Sequence, residues 1–103
     1  MSLSLKSLKD VELLSATRVL VEKERALTTE VLRHLAEIER RKLYCDLQVK
    51  GAAPGLRYGS LFEYAVKELG YSEGSASRRI QAMRLVREIP EVAEKIESGT
   101  LSL

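Results

Sequence analysis

The fold is decided by the stretch SLFEYAVKELGYSEGSASRRIQ, residues 60–81. Its first half carries apolar residues at helical spacing, its second half mixes small residues with arginines, and Gly70-Tyr71 lies between the two halves. Glycine ends a helix at little steric cost because it has no Cβ. We therefore predict two helices joined by a tight turn.

Both predicted helices start at a serine. Ser60 and Glu63 form a capping box, in which the serine accepts from the amide of Glu63 and the glutamate reaches back to the serine amide. Ser72 is predicted to cap the second helix. The predicted buried face of the first helix comprises Leu61, Phe62, Ala65, Val66 and Leu69. A leucine, a glycine, an apolar residue and a polar cap in this order are typical of a helix-turn-helix.

The second helix is predicted to have two chemically different sides. Ala76, Ile80, Met83 and Val86 share the apolar side, whereas Gly74, Ser77, Arg78, Gln81 and Arg84 share the other. Between Arg78 and Arg87 the sequence has four arginines and no acidic residue, which makes the helix locally positive. Ile89-Pro90 is predicted to end this helix, and a short last helix from Pro90 to Ser98 is predicted to end at Gly99.

A small, polar and basic helix face after a tight turn predicts double-stranded DNA as the partner. The helix over residues 72–87 would enter the major groove, with Ser77, Arg78 and Gln81 facing bases. The DNA backbone would be held by Ser72, Ser75, Arg79 and Arg84. Because Arg79 lies nearer the apolar side, it has an alternative, which is to run along the core edge or to pair with Glu63 or Glu68.

The N-terminal part predicts a long amphipathic helix from about Leu8 to Tyr44, capped by Ser7. Its apolar stripe consists of Leu13, Leu20, Leu27, Val31, Leu35 and Ile38. Two alternatives follow: a helical hairpin bent near Thr28, or one long helix whose exposed seam is buried against a second copy of the chain. We favour the second, a homodimer through residues 8–44, although Lys23-Glu24 falls where the seam needs an apolar residue.

The basic cluster Arg40-Arg41-Lys42 at the end of this helix also has two interpretations. Acidic residues lie beside it, and Glu37 is spaced to pair with Arg41, which favours a solvated helix face. The alternative is a contact with phosphates.

These elements predict an all-α fold in three regions. Residues 1–47 form an N-terminal helical dimerisation region, residues 48–57 a loop rich in Gly, Pro and small residues, and residues 58–103 a helix-turn-helix DNA-binding region. The length of 103 residues suits one domain, and the net charge of +2 by itself points to no partner.

Other features exclude several classes of function. The only cysteine, Cys45, rules out an internal disulfide framework and fits a reducing cytoplasm, and no secretion signal or membrane-spanning apolar run is evident. His34 lacks co-ligands for a metal, and no titratable cluster suggests catalysis. We expect a cytoplasmic, nucleoid-associated protein that is not an enzyme and has no cofactor, metal or small-molecule substrate.

The second half resembles the helix-turn-helix and following helix of ParB-type partition proteins. The resemblance lies in residues 69–72 and 77–81, in Leu85, in Ile89-Pro90-Glu91-Val92, in Ile96 and in Gly99-Thr100-Leu101-Ser102. More broadly, residues 12–14, 34–44 and 58–64 resemble the N-terminal region of bacterial HNH-endonuclease-like proteins.

In those endonuclease-like proteins a C-terminal nuclease module follows, so this resemblance implies DNA as substrate and a divalent metal in that module. With a single histidine this chain lacks the His-Asn-His set, and the resemblance carries over DNA targeting without catalysis. The competing hypothesis is a protein-interaction module, in which the helix pair is a scaffold and the long helix binds a partner helix.

Overall fold

A computed structural model describes residues 4–45 and 57–103, and every regular element within these two ranges is helical. The α-helices are α1 (Asp10–Arg41), α2 (Leu61–Lys67), α3 (Glu73–Glu88) and α4 (Val92–Glu97), with short 3-10 helices at Leu5–Ser7 and Leu43–Cys45. The predicted all-α class is confirmed, with a long N-terminal helix followed by shorter ones. Most of the predicted loop, residues 48–57, lies outside the described ranges.

Helix α1 runs without a break through Thr28, so the hairpin alternative is wrong. The hydroxyl of Thr28 donates to the carbonyl of Glu24 one turn earlier (3.0 Å), which is compatible with a continuous helix. The predicted start was also wrong, because the helix begins at Asp10 and the Ser7 hydroxyl donates to the Ser4 carbonyl instead of capping it. At the other end Lys42 adopts the left-handed conformation (φ 55°), and its amide donates to the carbonyl of Glu39.

The predicted turn and both serine caps are present between α2 and α3. Ser60 Oγ accepts from the Glu63 amide (3.0 Å), and Ser72 Oγ accepts from the Ser75 amide (3.1 Å). Gly70 is left-handed (φ 81°), as the sequence predicted. One detail differs: the Glu63 carboxylate accepts from the amide of Gly59, one residue before the predicted partner Ser60. These hydrogen bonds fix the residues at which both helices begin, and hence the direction of α3 after the turn.

The core forms where the C-terminal half of α1 meets the other helices. Leu32 and Leu35 of α1 are 1% and 2% exposed. They share one cluster with Leu61, Ile80, Ala82, Met83, Val92 and Ile96. The predicted buried face of α2 is partly wrong, since Leu61 and Ala65 are buried but Phe62 and Leu69 are 39% and 43% exposed. Helix α2 ends at Lys67, so Leu69 lies beyond it, and neither Phe62 nor Leu69 packs against the core cluster.

Helix α4 is held against α1 by a buried polar contact. The hydroxyl of Thr29, 2% exposed, lies 2.6 Å from a carboxylate oxygen of Glu97 and 2.8 Å from the carbonyl of Ala26. After α4 the chain turns at Gly99, which is left-handed (φ 84°), and the guanidinium of Arg25 lies directly over this glycine. Both contacts place the end of the chain on the middle of α1.

The N-terminal half of α1 has no such cover among the described residues. Leu14, Leu20 and Leu27 are 70%, 64% and 66% exposed, in contrast to Leu32 and Leu35 further along the same helix. The hydrophobic effect opposes the exposure of apolar side chains to water. This half of α1 therefore carries an apolar surface that residues 4–45 and 57–103 do not bury.

Replacing Thr29 with valine tests the polar contact between α1 and α4. We expect Thr29→Val to lower the free energy of unfolding by about 1 kcal/mol, because a buried hydrogen bond between two elements is lost. Thr28→Val is the matched control, since its hydroxyl bonds only within α1, and it should change stability by less than about 0.5 kcal/mol. Urea unfolding followed by circular dichroism measures both, and equal losses would contradict the assigned contact.

Candidate nucleic-acid interface

The candidate interface is the exposed side of the first three turns of α3. The cap at Ser72 starts the helix, and the burial of Ala76, Ile80 and Met83 (0%, 5% and 1% exposed) turns the opposite side outward. The outward side presents Gly74, Arg78 and Gln81, and Ser77 lies half-buried beside them. The helical wheel thus predicted the division of α3 correctly, except that Ala82 is also buried. Small residues on this side leave room for close approach to a groove.

Two of the predicted base-facing residues bond to each other, and the third bonds to Ser75, which was predicted to hold the DNA backbone. Gln81 Nε2 donates to Ser77 Oγ (3.3 Å), and Arg78 Nη2 donates to Ser75 Oγ (3.4 Å). The guanidinium of Arg78 also lies over Gly74, 3.2 Å from where a Cβ at that position would be. Both Arg78 and Gln81 are exposed and both bonds are long, so these side chains can exchange their partners for base edges at little cost.

Arg79 lies apart from this group. Its guanidinium packs over the ring of Tyr71, 4.7 Å from the ring centroid, and donates to the carbonyl of Ser75 (3.3 Å). This is the predicted alternative in which Arg79 runs along the core edge, and the predicted pairing with Glu63 or Glu68 does not occur. Glu63 pairs with Lys67, and Glu68 accepts from the hydroxyl of Tyr58 (2.7 Å).

Arg84 is paired with Glu39 of α1, a residue that no sequence pattern links to α3. Glu39 of α1 accepts from Arg84 (3.1 Å) through one carboxylate oxygen and from Arg87 (2.9 Å) through the other. The side chain of Glu39 is 20% exposed, whereas the two arginines are about half exposed. Helix α1 therefore supplies one negative charge to two of the four arginines, which a count of charges within α3 does not include.

The charge of Glu39 is stabilised by this arrangement. Partial burial alone would raise the pKa of Glu39, but the hydrogen bonds and charges of Arg84 and Arg87 together outweigh burial and hold the pKa below its usual value. The carboxylate thus stays ionised at neutral pH. No spacing rule reveals this contact, since Glu39 lies 45 and 48 residues before its two partners.

The remaining basic cluster forms a solvated helix face. The carboxylate of Glu37 bonds to Arg40 and to Arg41, and the hydrogen bonds from these two arginines lower the pKa of Glu37 to about 2. All three side chains are at least 44% exposed. This geometry matches the first of the two interpretations given to the cluster, although exposed ion pairs of this kind remain open to exchange with solvent or phosphate.

Other chemistry finds little support in the described residues. His34 Nδ1 lies 2.7 Å from the carbonyl of Glu30, and Cys45 is exposed with its thiol directed to the carbonyl of Lys42. Within residues 4–45 and 57–103, no group of three or more His, Cys, Asp or Glu side chains is placed to hold a metal ion. No helix in these ranges is long and apolar enough to cross a membrane.

Comparison of the chain with protein-family models, with curated proteins and with solved structures gives no match. The resemblances to ParB-type and HNH-endonuclease-like proteins therefore stay predictions from the residues that carry them.

The pairing of Glu39 predicts a pH-dependent contribution to stability. The pKa of Glu39 is lower in the folded protein than in the unfolded chain. Its ion pairs therefore stabilise the fold fully when the pH is above the usual glutamate pKa, and this stabilisation is lost as the pH falls through the lowered pKa. We expect Glu39→Gln to cost about 1 kcal/mol at neutral pH. The difference from the parent protein should shrink as the solution is acidified below the usual glutamate pKa.

Thermal unfolding across this pH range measures the effect. Glu37→Gln is the matched control, because Glu37 also bridges two arginines but all three belong to α1. If Glu37→Gln lowered the stability as much as Glu39→Gln, the ion pairs between α1 and α3 would contribute no more than ion pairs within α1.

Proposed function

We propose that the protein binds double-stranded DNA through the exposed side of α3, as a homodimer joined through α1. The observation that carries the proposal is the grouping of the exposed Arg78 and Gln81 with the half-buried Ser77 on one side of a helix that follows a capped, tight turn. Arginine and glutamine are the side chains that bond bidentately to guanine and adenine in the major groove. Small residues beside them permit the helix to approach.

Within this proposal the predicted contacts have different roles. Arg78 and Gln81 face bases, while Ser72 and Ser75 lie at the start of α3, where hydroxyls and helix amides meet phosphates. Arg84 reaches the DNA backbone only by exchanging Glu39 for a phosphate. Arg79, which packs on Tyr71, supports the turn and contributes positive charge near the backbone. Glu73, in the first turn, acts against phosphate binding.

The alternative is that the helix pair is a scaffold and the protein binds another protein through α1. The observation that favours this alternative is the exposed apolar half of α1, with Leu14, Leu20 and Leu27 each more than 60% exposed. The two proposals differ in what Arg78 does, because only DNA binding requires it. Its substitution therefore separates them.

Titration of mixed duplex DNA at several salt concentrations tests the DNA proposal. We expect affinity to fall steeply between about 50 and 200 mM salt, and Arg78→Ala to weaken binding roughly tenfold or more. Arg18→Ala is the control, since Arg18 is an exposed arginine on the half of α1 remote from α3. Absence of binding at low salt, or equal effects of the two substitutions, would exclude the proposal in favour of the scaffold alternative.

Glu39→Gln should strengthen DNA binding if Arg84 and Arg87 meet phosphates. Removing the carboxylate frees both guanidinium groups, so we expect affinity at low salt to rise about threefold to tenfold and the salt dependence to steepen. The same titration with Glu37→Gln distinguishes this effect from a general loss of negative charge. Unchanged affinity in Glu39→Gln would place Arg84 outside the interface.

A further inference from the structure

The exposed amide of Gln81 is bonded to a side chain of the preceding turn of α3. Its Nε2 donates to Ser77 Oγ (3.3 Å), and residues four apart on a helix are neighbours on its surface. Ser77 is half-buried and has a short side chain, whereas Gln81 is long and exposed. The serine is therefore the more fixed member of the pair, and the glutamine amide is the group that a bound molecule would meet.

The bond to Ser77 leaves a defined set of groups on Gln81 free. A side-chain amide has two N–H donors on its nitrogen and one acceptor oxygen. Ser77 accepts from one of the two donors. The other N–H of Nε2 and the whole of Oε1 stay available, so Gln81 can bond to a further molecule without giving up Ser77.

Adenine is the base whose major-groove edge matches these free groups. Adenine presents an acceptor, N7, beside a donor, the N6 amino group. Guanine presents two acceptors, cytosine presents a donor and thymine an acceptor beside its methyl group. One N–H beside one carbonyl oxygen, as on Gln81, pairs bidentately with adenine alone.

The bond to Ser77 also decides which end of the amide is which. An amide with both ends free can turn over and offer its oxygen or its nitrogen to other base edges. Ser77 opposes this rotation because it holds Nε2, and the bond becomes stronger when DNA displaces water from around it. Loss of this bond would therefore reduce discrimination between bases more than it reduces affinity for the best site.

We infer that Ser77 is a positioning residue, and that through it Gln81 selects adenine at one position of the DNA site. The inference rests on the proposed function and refines it, since Ser77 acts on Gln81 and not on a base. Arg78 lies three residues before Gln81, a rise of about 4.5 Å along α3. Base pairs are about 3.4 Å apart, so the guanine bonded by Arg78 lies one or two base pairs from this adenine.

Selection of duplexes from a randomised library, followed by titration of single duplexes at one salt concentration, tests the inference. The position read by Gln81 is the one at which Gln81→Ala loses its preference. We expect the parent protein to prefer adenine there by about tenfold over each other base. Ser77→Ala should reduce this preference at least about threefold, whereas Ser77→Thr, which keeps a hydroxyl on the same carbon, should retain most of it.

Ser75→Ala is the matched control, because Ser75 Oγ accepts from Arg78 Nη2 (3.4 Å) and not from Gln81. It should weaken binding to all duplexes alike and leave the adenine preference unchanged. The preference is a ratio of two affinities of the same protein, so a lower folded fraction in a variant does not alter it.

Several results would overturn the inference while leaving the proposed function in place. These are a base other than adenine at the position read by Gln81, an adenine preference that is unchanged in Ser77→Ala, and an equal loss in Ser77→Ala and Ser77→Thr. Absence of binding to every duplex at low salt would instead exclude the proposed function, and the inference with it.

Discussion

The structure depends on the burial of Leu32 and Leu35 of α1 among the residues of α2, α3 and α4. These two leucines are among the most completely buried large side chains and lie in one cluster with Ile80 and Met83. Burying a leucine side chain contributes about 1.5–3 kcal/mol, and α2 and α4, with seven and six residues, are too short to be stable alone. The helix-turn-helix is therefore built on the second half of α1 and shares its core with it.

The same packing explains why charge on α3 is not distributed as its sequence suggests. Once Leu35 lies in the core, Glu39 is one turn further along the same side of α1 and meets Arg84 and Arg87 near the end of α3. Two arginines are thereby partly neutralised and a third packs on Tyr71, which leaves Arg78 as the arginine most available to a partner. In the proposed interface, the contacts to bases therefore come from the first turns of α3. Arg84 and Arg87, near the end of α3, can contact DNA only after they separate from Glu39.

The two halves of helix α1 lie in different environments. Its second half is covered by the other helices, whereas Leu14, Leu20 and Leu27 in its first half are exposed. The contact between Thr29 and Glu97 lies at the change from one to the other. The proposed homodimer would bury this exposed half of α1 against a second copy of the chain.

The sequence by itself determined the local structure. Capping at Ser60 and Ser72 and the left-handed turn at Gly70 depend on residues within a few positions, so their patterns predicted them correctly. The two sides of α3 followed from helical periodicity for the same reason. Local signals did not fix the start of α1, because Ser7 has a competing bond to Ser4, or the continuity through Thr28, because a threonine can cap a helix or bond within it.

Only the tertiary structure decided which side chains meet across the chain. The exposure of Phe62 and Leu69, the packing of Arg79 on Tyr71 and the neutralisation of Arg84 by Glu39 depend on how α1 crosses the helix-turn-helix. A sequence pattern gives each residue's side on its own helix. It does not give the angle and register at which two helices cross, and these are set by the shapes of the side chains in the shared core.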